Sequence, residues 1–421
     1  MKILISHVYS SNNNGDAAIL SAQIAELRRV FSNSDLSIST IDAVPKAYTY
    51  DDVPVSQALM FGAVAPGKSK AHKLLYAITM IACTLAWVVV KRATRVSLPL
   101  PSVWRQPMQL LEASDIQVCV GGGYLRAKRD PTSTIILLLL IHQIRLARLL
   151  GKPVYLYAQS FGPYPTRLQR VIARSGIQCA SLVLVREAKS ERLLAQLGID
   201  TQRIIKVPDS AFLFRAKPNA SIHKLIRPDG DKSIIVGITV RSWLDSARQS
   251  SYEQAIAELI DHIAAKPHHK VVVIPQVTST AQHDDDRDAG RRIARLVKES
   301  TRVTFLERQF SPRDILSVYA NLNYLVGTRF HSVIFALLSG VPAVAIEYEH
   351  KTSGIMQDLG LGQWVIPIER VTAKKIISLY DRIETARTPY ATRLQRVIPA
   401  YIAQARLAAD LIAKDATTPV A

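Results

Sequence analysis

The stretch GTRFHSVIFALLSGVP, Gly327–Pro342, sets an arginine and a histidine between a short apolar strand pattern and an apolar helix pattern. A helix N-terminus exposes unpaired N–H groups and a partial positive charge, which together make an anion site. Arg329 adds a guanidinium fork suited to carboxylate or phosphate. Arg241, directly after Ile238-Thr239-Val240, brings a second fork from another strand end. His331 suits hydrogen-bond donation to a ligand or general acid catalysis, with a structural role as the competing reading. VIPQVTS carries Gln276 to a further strand end. The chemistry in view is the grip and protonation of a small polyanion.

A second group of residues suits hydroxyls. In SNNNGDAAIL, Ser11–Leu20, Gly15 allows close backbone approach, and Asp16 either caps the following helix or acts on a substrate hydroxyl. The spacing is not GxGxxG, so a dinucleotide site is not indicated. Gly121, Gly122 and Gly123 follow a strand, either to hold backbone close to a ligand or to make a tight turn. Gln159 and Ser160 precede a Gly-Pro turn, as sugar-hydroxyl donors or as a plain polar turn. HDDDRD, His283–Asp288, has a metal-like composition, but consecutive carboxylates point apart and favour the first turn of a helix. His268-His269 reads as a solvated loop. Cys83, Cys119 and Cys179 have no CxxC spacing, so no disulfide framework or structural zinc site is built, and no metal is expected.

These residues all follow short Val/Ile-rich runs. Strands are predicted at Lys2–Ser6, Leu36–Thr40, Ile116–Val120, Val154–Ala158 and Leu182–Val185. A second series covers Ile234–Val240, Lys270–Ile274, Val303–Leu306, Tyr324–Val326 and Ala343–Ile346. Helical patterns alternate with them, as at Ala17–Phe31, Thr134–Leu150, Tyr252–Ala265 and Arg313–Asn321. That alternation predicts an α/β fold with parallel sheets covered on both faces. Arg215–Lys232, rich in Pro, Asn, Asp, Gly and Lys, reads as a hinge. The expected division is an N-terminal Rossmann-like domain 1–215, a linker 216–232, a C-terminal Rossmann-like domain 233–385, and a helix and tail 386–421. Two such domains facing across a cleft place ligands at the carboxyl ends of their strands.

The 421 residues carry 53 Lys and Arg against 34 Asp and Glu, a formal charge of +19. With 48% apolar residues, the composition excludes disorder and a collagen-like repeat. Twelve basic and three acidic residues lie between Lys68 and Leu150, without any nucleic-acid-binding pattern. The same window holds the longest uncharged apolar run, Leu74–Val90 (LLYAITMIACTLAWVVV), with Lys70 and Lys73 before it and Lys91, Arg92 and Arg95 after it. As a helix its 17 residues reach roughly 25 Å, short of a ~30 Å hydrocarbon core. A helix docked on an anionic membrane face is the preferred expectation, against a span or a buried helix. Thr134–Leu150 reads instead as a core helix with a solvated basic end.

The ordered set NNNGDAAI, GGGYL, QSFGP, VREAKSERLLAQLG, VPDSAF, GITVR, IPQ, GTRFHSVIFALLSGVPAVAI and the following Tyr348 and Lys351 resembles the polysaccharide pyruvyl transferase family over roughly residues 1–370. The resemblance implies a GT-B-like fold with the first domain on the acceptor side; the apolar basic-flanked insertion at about 68–105 departs from the family pattern. The second domain then takes phosphoenolpyruvate, and pyruvate passes to two hydroxyls of one sugar as a ketal. It implies that the groups matching Arg241, Arg329 and His331 serve the phosphoenolpyruvate site, with Asp16, Gln159 and Lys351 at further motif positions. His331 and Asp16 are the expected catalytic pair; Arg241, Arg329, Gln159, Gly122, Gly123, Gln276 and Lys351 are the expected substrate contacts. No cofactor beyond the donor is implied. The expected setting is exopolysaccharide assembly at the inner face of the plasma membrane, on a sugar acceptor or a lipid-linked oligosaccharide. Two rival readings are a GT-B glycosyltransferase gripping a ribose through Glu347 or Glu349, and a non-catalytic membrane-docked protein.

Overall fold

The computed structural model describes residues 1–9, 13–42, 51–65, 67, 69–279, 284–299 and 301–418. The expected contributions of Ser11, Asn12 and His283 lie outside them. Two compact units divide the chain: Met1–Ser11, Ile19–Leu213 and Gln404–Ala421 form one, Asn12–Ala18 and Phe214–Ala403 the other.

The first unit is built on a seven-stranded parallel sheet of β1 (Lys2–Val8), β2 (Asp35–Thr40), β3 (Val55–Gln57), β4 (Ile116–Cys119), β5 (Val154–Gln159), β6 (Leu182–Val185) and β7 (Ile204–Lys206). Its order is β3-β2-β1-β4-β5-β6-β7, so direction reverses beside β1 and β4. Doubly wound sheets hold ligands at such a point. The intervening helices are α1 (Asn14–Val30), α2 (Phe61–Val64), α3 (Lys70–Thr94), α4 (Ser102–Ala113), α5 (Pro131–Leu149), α6 (Arg167–Ile177) and α7 (Ala188–Gln196). Continuous burial of β4 and β5 explains their largely apolar sequence, because helices cover both faces.

The second unit carries β8 (Ile234–Thr239), β9 (His269–Val273), β12 (Val303–Phe305), β13 (Tyr324–Gly327), β14 (Ala343–Glu347) and β15 (Val365–Pro367) in the order β12-β9-β8-β13-β14-β15, all parallel. A small antiparallel pair, β10 (Thr278–Ser279) and β11 (Asp284–Asp285), extends one loop. Its helices are α8 (Ala220–Ile226), α9 (Ser246–Ala265), α10 (Asp286–Ala294), α11 (Pro312–Ala320), α12 (Phe330–Leu338), α13 (Lys351–Asp358), α14 (Ala373–Thr385) and α15 (Arg387–Thr417), the last continuing into the first unit. Both units are parallel-sheet Rossmann-like domains. Three residues each in β3, β7 and β15 escape sequence reading, because so few residues carry no period to detect; β12, equally short, coincides with the predicted Val303–Leu306.

Two expectations about local elements meet different outcomes. Thr134–Leu150 is the core helix α5, with Leu137, Leu140, Ile141 and Ile144 fully buried and the basic Arg145 and Arg148 exposed. His269 is not in a solvated loop: it is 8% exposed, opens β9, and meets Glu384 through Nε2 at 2.8 Å. A carboxylate from α14, distant in sequence, draws it in.

His142 of α5 lies 2.8 Å from the Thr84 hydroxyl of α3. Burial, with the charge of Arg145, lowers its pKa to about 4, and burial does the same to His7 in β1. The unfolded chain takes up these protons below about 6.5, while the folded chain resists until about 4. The stabilisation is therefore complete above pH 6.5 and falls as pH drops toward 4, by about 3 kcal/mol per group. Melting curves at pH 7 and pH 4.5 should show a smaller acid loss in His142→Gln than in the unaltered chain. Equal losses would contradict the assignment.

Candidate active site

In the second unit, the carboxyl ends of β8, β9, β13 and β14 carry five of the nine expected site residues, and Asp16, in the same unit, lies in the first turn of α1. β13 ends at Gly327, and the backbone N–H groups of Thr328 and Arg329 both reach the Thr239 hydroxyl at the end of β8, at 3.1 and 3.3 Å. Arg329 is the N-cap residue of α12, and its own side chain does not cap the helix. The first turn carries the partial positive charge of a helix N-terminus.

Arg329 itself is 6% exposed. Its Nε and Nη2 donate to the same oxygen of Asp286, at 2.8 and 2.5 Å. The other Asp286 oxygen accepts the backbone N–H groups of Gln276 and Val277, both at 2.9 Å. Burial pushes the Asp286 carboxyl upward, and Arg329 and the two backbone donors pull against that shift. The HDDDRD run divides as expected: Asp285 caps α10, Asp286 is buried beneath it, and Asp288 pairs outward with Arg291. Among the described residues, no group of three or more His, Cys, Asp or Glu is placed to hold a metal ion. The partnership of Asp286 with Arg329 was hidden in the sequence by their separation of 43 residues.

Arg241 is 7% exposed and packs its guanidinium against two rings, 4.5 Å from the Trp243 centroid and 4.2 Å from that of Tyr348. Aromatic faces favour a guanidinium and leave its donor edge for planar anions. Trp243, two residues beyond Arg241, was not singled out in the sequence, where nothing separates it from an exposed loop tryptophan. Lys351 opens α13, pairs with Glu349 at 3.0 Å, and lies 5.3 Å from the Phe330 ring and 5.6 Å from that of Tyr348. Phe330 in turn meets the His331 ring edge-on at 4.9 Å.

His331, 9% exposed in the first turn of α12, lies against the backbone at Gly15. A Cβ placed on Gly15 would stand 1.9 Å from its Nδ1. The glycine therefore serves to admit an imidazole. Asn13, not Asp16, caps α1: its Oδ1 accepts from the Gly15 N–H at 3.0 Å, while its Nδ2 donates to Asp16 at 2.8 Å. Asp16 is thus placed in the first turn of the helix, next to the glycine that touches His331. Gln276 bonds the same segment through its carbonyl, which accepts from the Asn14 N–H at 3.4 Å. Its side chain turns inward to accept from the Tyr319 hydroxyl at 2.8 Å and is 1% exposed.

The remaining three expected residues lie in the first unit. Gln159, fully buried, donates to the carbonyls of Cys119 and Val120 at the end of β4, at 3.1 and 2.9 Å. Gly122 has φ +131, and a Cβ there would enter the Tyr124 ring at 2.6 Å, so the glycine loop is required by local packing. A Cβ on Gly123 would meet nothing closer than 3.8 Å, the Arg186 guanidinium. Beneath this loop Ser160 donates to Glu187 at 2.8 Å and accepts from Arg186 at 2.6 Å, and Arg186 also pairs with fully buried Asp209. Ala158 takes a left-handed φ of 48 just before Gln159, a conformation that costs a non-glycine residue about 1–2 kcal/mol. Such strain concentrates where a loop must be held for function.

A family model described as polysaccharide pyruvyl transferase matches residues 13–350, and the chain belongs to that family. It is 26% identical over 388 residues to the amylovoran biosynthesis protein AmsJ of Erwinia amylovora, covering 90% of this chain and 91% of that protein. Among solved structures it is similar to Anabaena Alr3699/HepE in complex with UDP-glucose, with a TM-score of 0.59 at 14% identity over 98% of each chain. It is also similar to the UDP-GlcNAc 2-epimerase of Neisseria meningitidis, with a TM-score of 0.57 at 12% identity over 99% of each chain. At these identities the likeness concerns the fold, a GT-B-like pair of Rossmann-type domains.

Two substitutions test the geometry. Gly15→Ala should keep the chain folded and move His331, read as a displaced imidazole proton resonance. An unchanged resonance would show that the contact does not constrain the ring. Asp286→Ala leaves a buried guanidinium without its carboxylate and should destabilise the second unit by about 3–5 kcal/mol in denaturant unfolding.

Proposed function

We propose that this transferase moves pyruvate from phosphoenolpyruvate onto a sugar of a polysaccharide or glycolipid precursor as a ketal, releasing phosphate. One observation carries the reading: Arg241, Lys351 and His331 gather through shared ring contacts at the N-terminus of α12. Phosphoenolpyruvate brings a carboxylate and a phosphate to that positive site. Arg241 and Lys351 hold these groups, and Arg329, engaged by Asp286, fixes the helix end that faces them. The relative AmsJ, named for the biosynthesis of amylovoran, supports a role in polysaccharide assembly. A donor from central metabolism puts the reaction in the cytoplasm.

The chemistry needs a proton at C3 of the enol, which makes C2 electrophilic. One sugar hydroxyl adds to C2 and loses its proton; the C2–O bond to phosphate breaks. The second hydroxyl then closes the ring on C2. Two hydroxyl protons leave, one balancing the proton gained at C3 and the other carried away by phosphate. His331 donates at C3 or to the departing phosphate, and Asp16 takes a hydroxyl proton. Arg241 stabilises the charge as it moves onto phosphate.

Calorimetric titration with phosphoenolpyruvate, run beside UDP- and GDP-sugars, tests the donor. Selective binding of phosphoenolpyruvate, weakened by roughly tenfold to a hundredfold in Arg241→Ala, is expected for the loss of a charged hydrogen-bonding partner. Binding of a nucleotide sugar alone would overturn the reading. His331→Ala should lower kcat by roughly 10²–10⁴-fold while phosphoenolpyruvate still binds; near-normal turnover would remove its role as acid.

A further inference from the structure

We propose that α3 docks the first unit flat on the surface of an anionic lipid bilayer. The argument is independent of the donor chemistry. One flank of the helix is packed inside the unit through Ala77, Met80, Thr84, Trp87 and Val88, against α5 and neighbouring segments. The opposite flank is bare. Leu75 is 62% exposed, Ile78 56% and Val89 61%, with Ala82 and Ala86 exposed between them at helical spacing. This stripe spans about 20 Å at 1.5 Å per residue. Val96 and Val103, 59% and 57% exposed, lie just beyond the helix end. A contiguous apolar surface of this kind on a folded chain marks an interaction site.

The charge around the stripe selects the occupant. Arg92, Arg95 and Arg105 are exposed and Lys73 is half-buried. Between Asp52 and Glu112 the sequence contains no acidic residue. Basic side chains bordering an apolar helix face are the signature of an interfacial helix on anionic headgroups. A second copy of the chain is a poor fit, because either alignment of two such helices sets lysine and arginine against lysine and arginine.

A membrane span is excluded by the anchors on the inner flank. Trp104 Nε1 donates to the Tyr76 hydroxyl at 2.7 Å, which itself donates to the Leu59 carbonyl at 3.0 Å. Arg92 Nη1 donates to the Leu149 carbonyl at 2.9 Å, and Thr84 meets His142. A spanning helix would surrender all of them and expose the α5 core. Lying in the interface, α3 keeps them and buries only the bare flank.

The test is sedimentation of the full chain with vesicles of phosphatidylcholine alone and of phosphatidylcholine with phosphatidylglycerol. Binding to the anionic vesicles, weakened by salt, is expected. The pair Ile78→Gln and Val89→Gln should reduce it by roughly tenfold, and Arg95→Gln by about fivefold. Because the two apolar positions are exposed, the melting temperature of that pair should stay unchanged, which separates lost docking from lost folding. Absence of binding to anionic vesicles, or binding untouched by these substitutions, would overturn the proposal. So would a dimer in sedimentation velocity that Ile78→Gln dissolves, since a second copy would then cover the face.

Discussion

The candidate site rests on a buried carboxylate, Asp286, that receives Arg329 on one oxygen and two backbone N–H groups on the other. Removing a guanidinium and a carboxylate from water is costly, and the cost is recovered only when their hydrogen bonds are made. Here four donors meet one carboxylate, and the result is positional. The loop after β9 and the N-terminus of α12 are tied to one point, and Thr239 ties the end of β8 to the same helix start. Everything that surrounds His331 is referenced to that junction.

The junction sets a second constraint at Gly15. An imidazole in the first turn of α12 lies against the first turn of α1, and only a residue without Cβ leaves room. Asn13 supplies the cap, and Asp16 lies in the first turn of the same helix. The two polar residues of this loop therefore divide their work. Asn13 orders the backbone, and the Asp16 carboxylate, steadied by Asn13 Nδ2, is held beside the histidine contact.

Much of this architecture is legible in the sequence, and the reasons for the exceptions are physical. Long buried strands such as β5 and β8 announce themselves because both faces are covered, so their residues are uniformly apolar. Of the three-residue edge strands, β12 is legible and β3, β7 and β15 are not. The site divides in the same way. Arg241 and His331 stand directly after strand patterns, where topology alone points to ligands, and the ordered family motifs reinforce them. Asp286 stands in a run of three aspartates, and nothing local distinguishes the one that is buried. Gln276 shows the converse: its position at a strand end was readable, but the inward turn of its side chain depends on Tyr319, 43 residues away. Sequence position locates a backbone, whereas the partner of a buried polar group is a property of the packed fold.

The charge of +19 falls in two physically different settings. Cations at the proposed donor site are few, and aromatic rings or carboxylates fix each of them: Arg241 lies against Trp243 and Tyr348, Lys351 against Glu349, and Arg329 against Asp286. Their geometry is set before any ligand arrives, and burial shields them from added salt. The sequence between Asp52 and Glu112 holds no acidic residue, Glu112 itself pairs with Lys91 at 2.8 Å, and the arginines beside α3 are exposed. Their attraction to a surface extends only about a Debye length, roughly 8 Å at physiological ionic strength. On the two proposals, the first arrangement discriminates among small anions by shape, and the second responds to surface charge density and tolerates changes in individual headgroups. Ionic strength is then the variable that separates them.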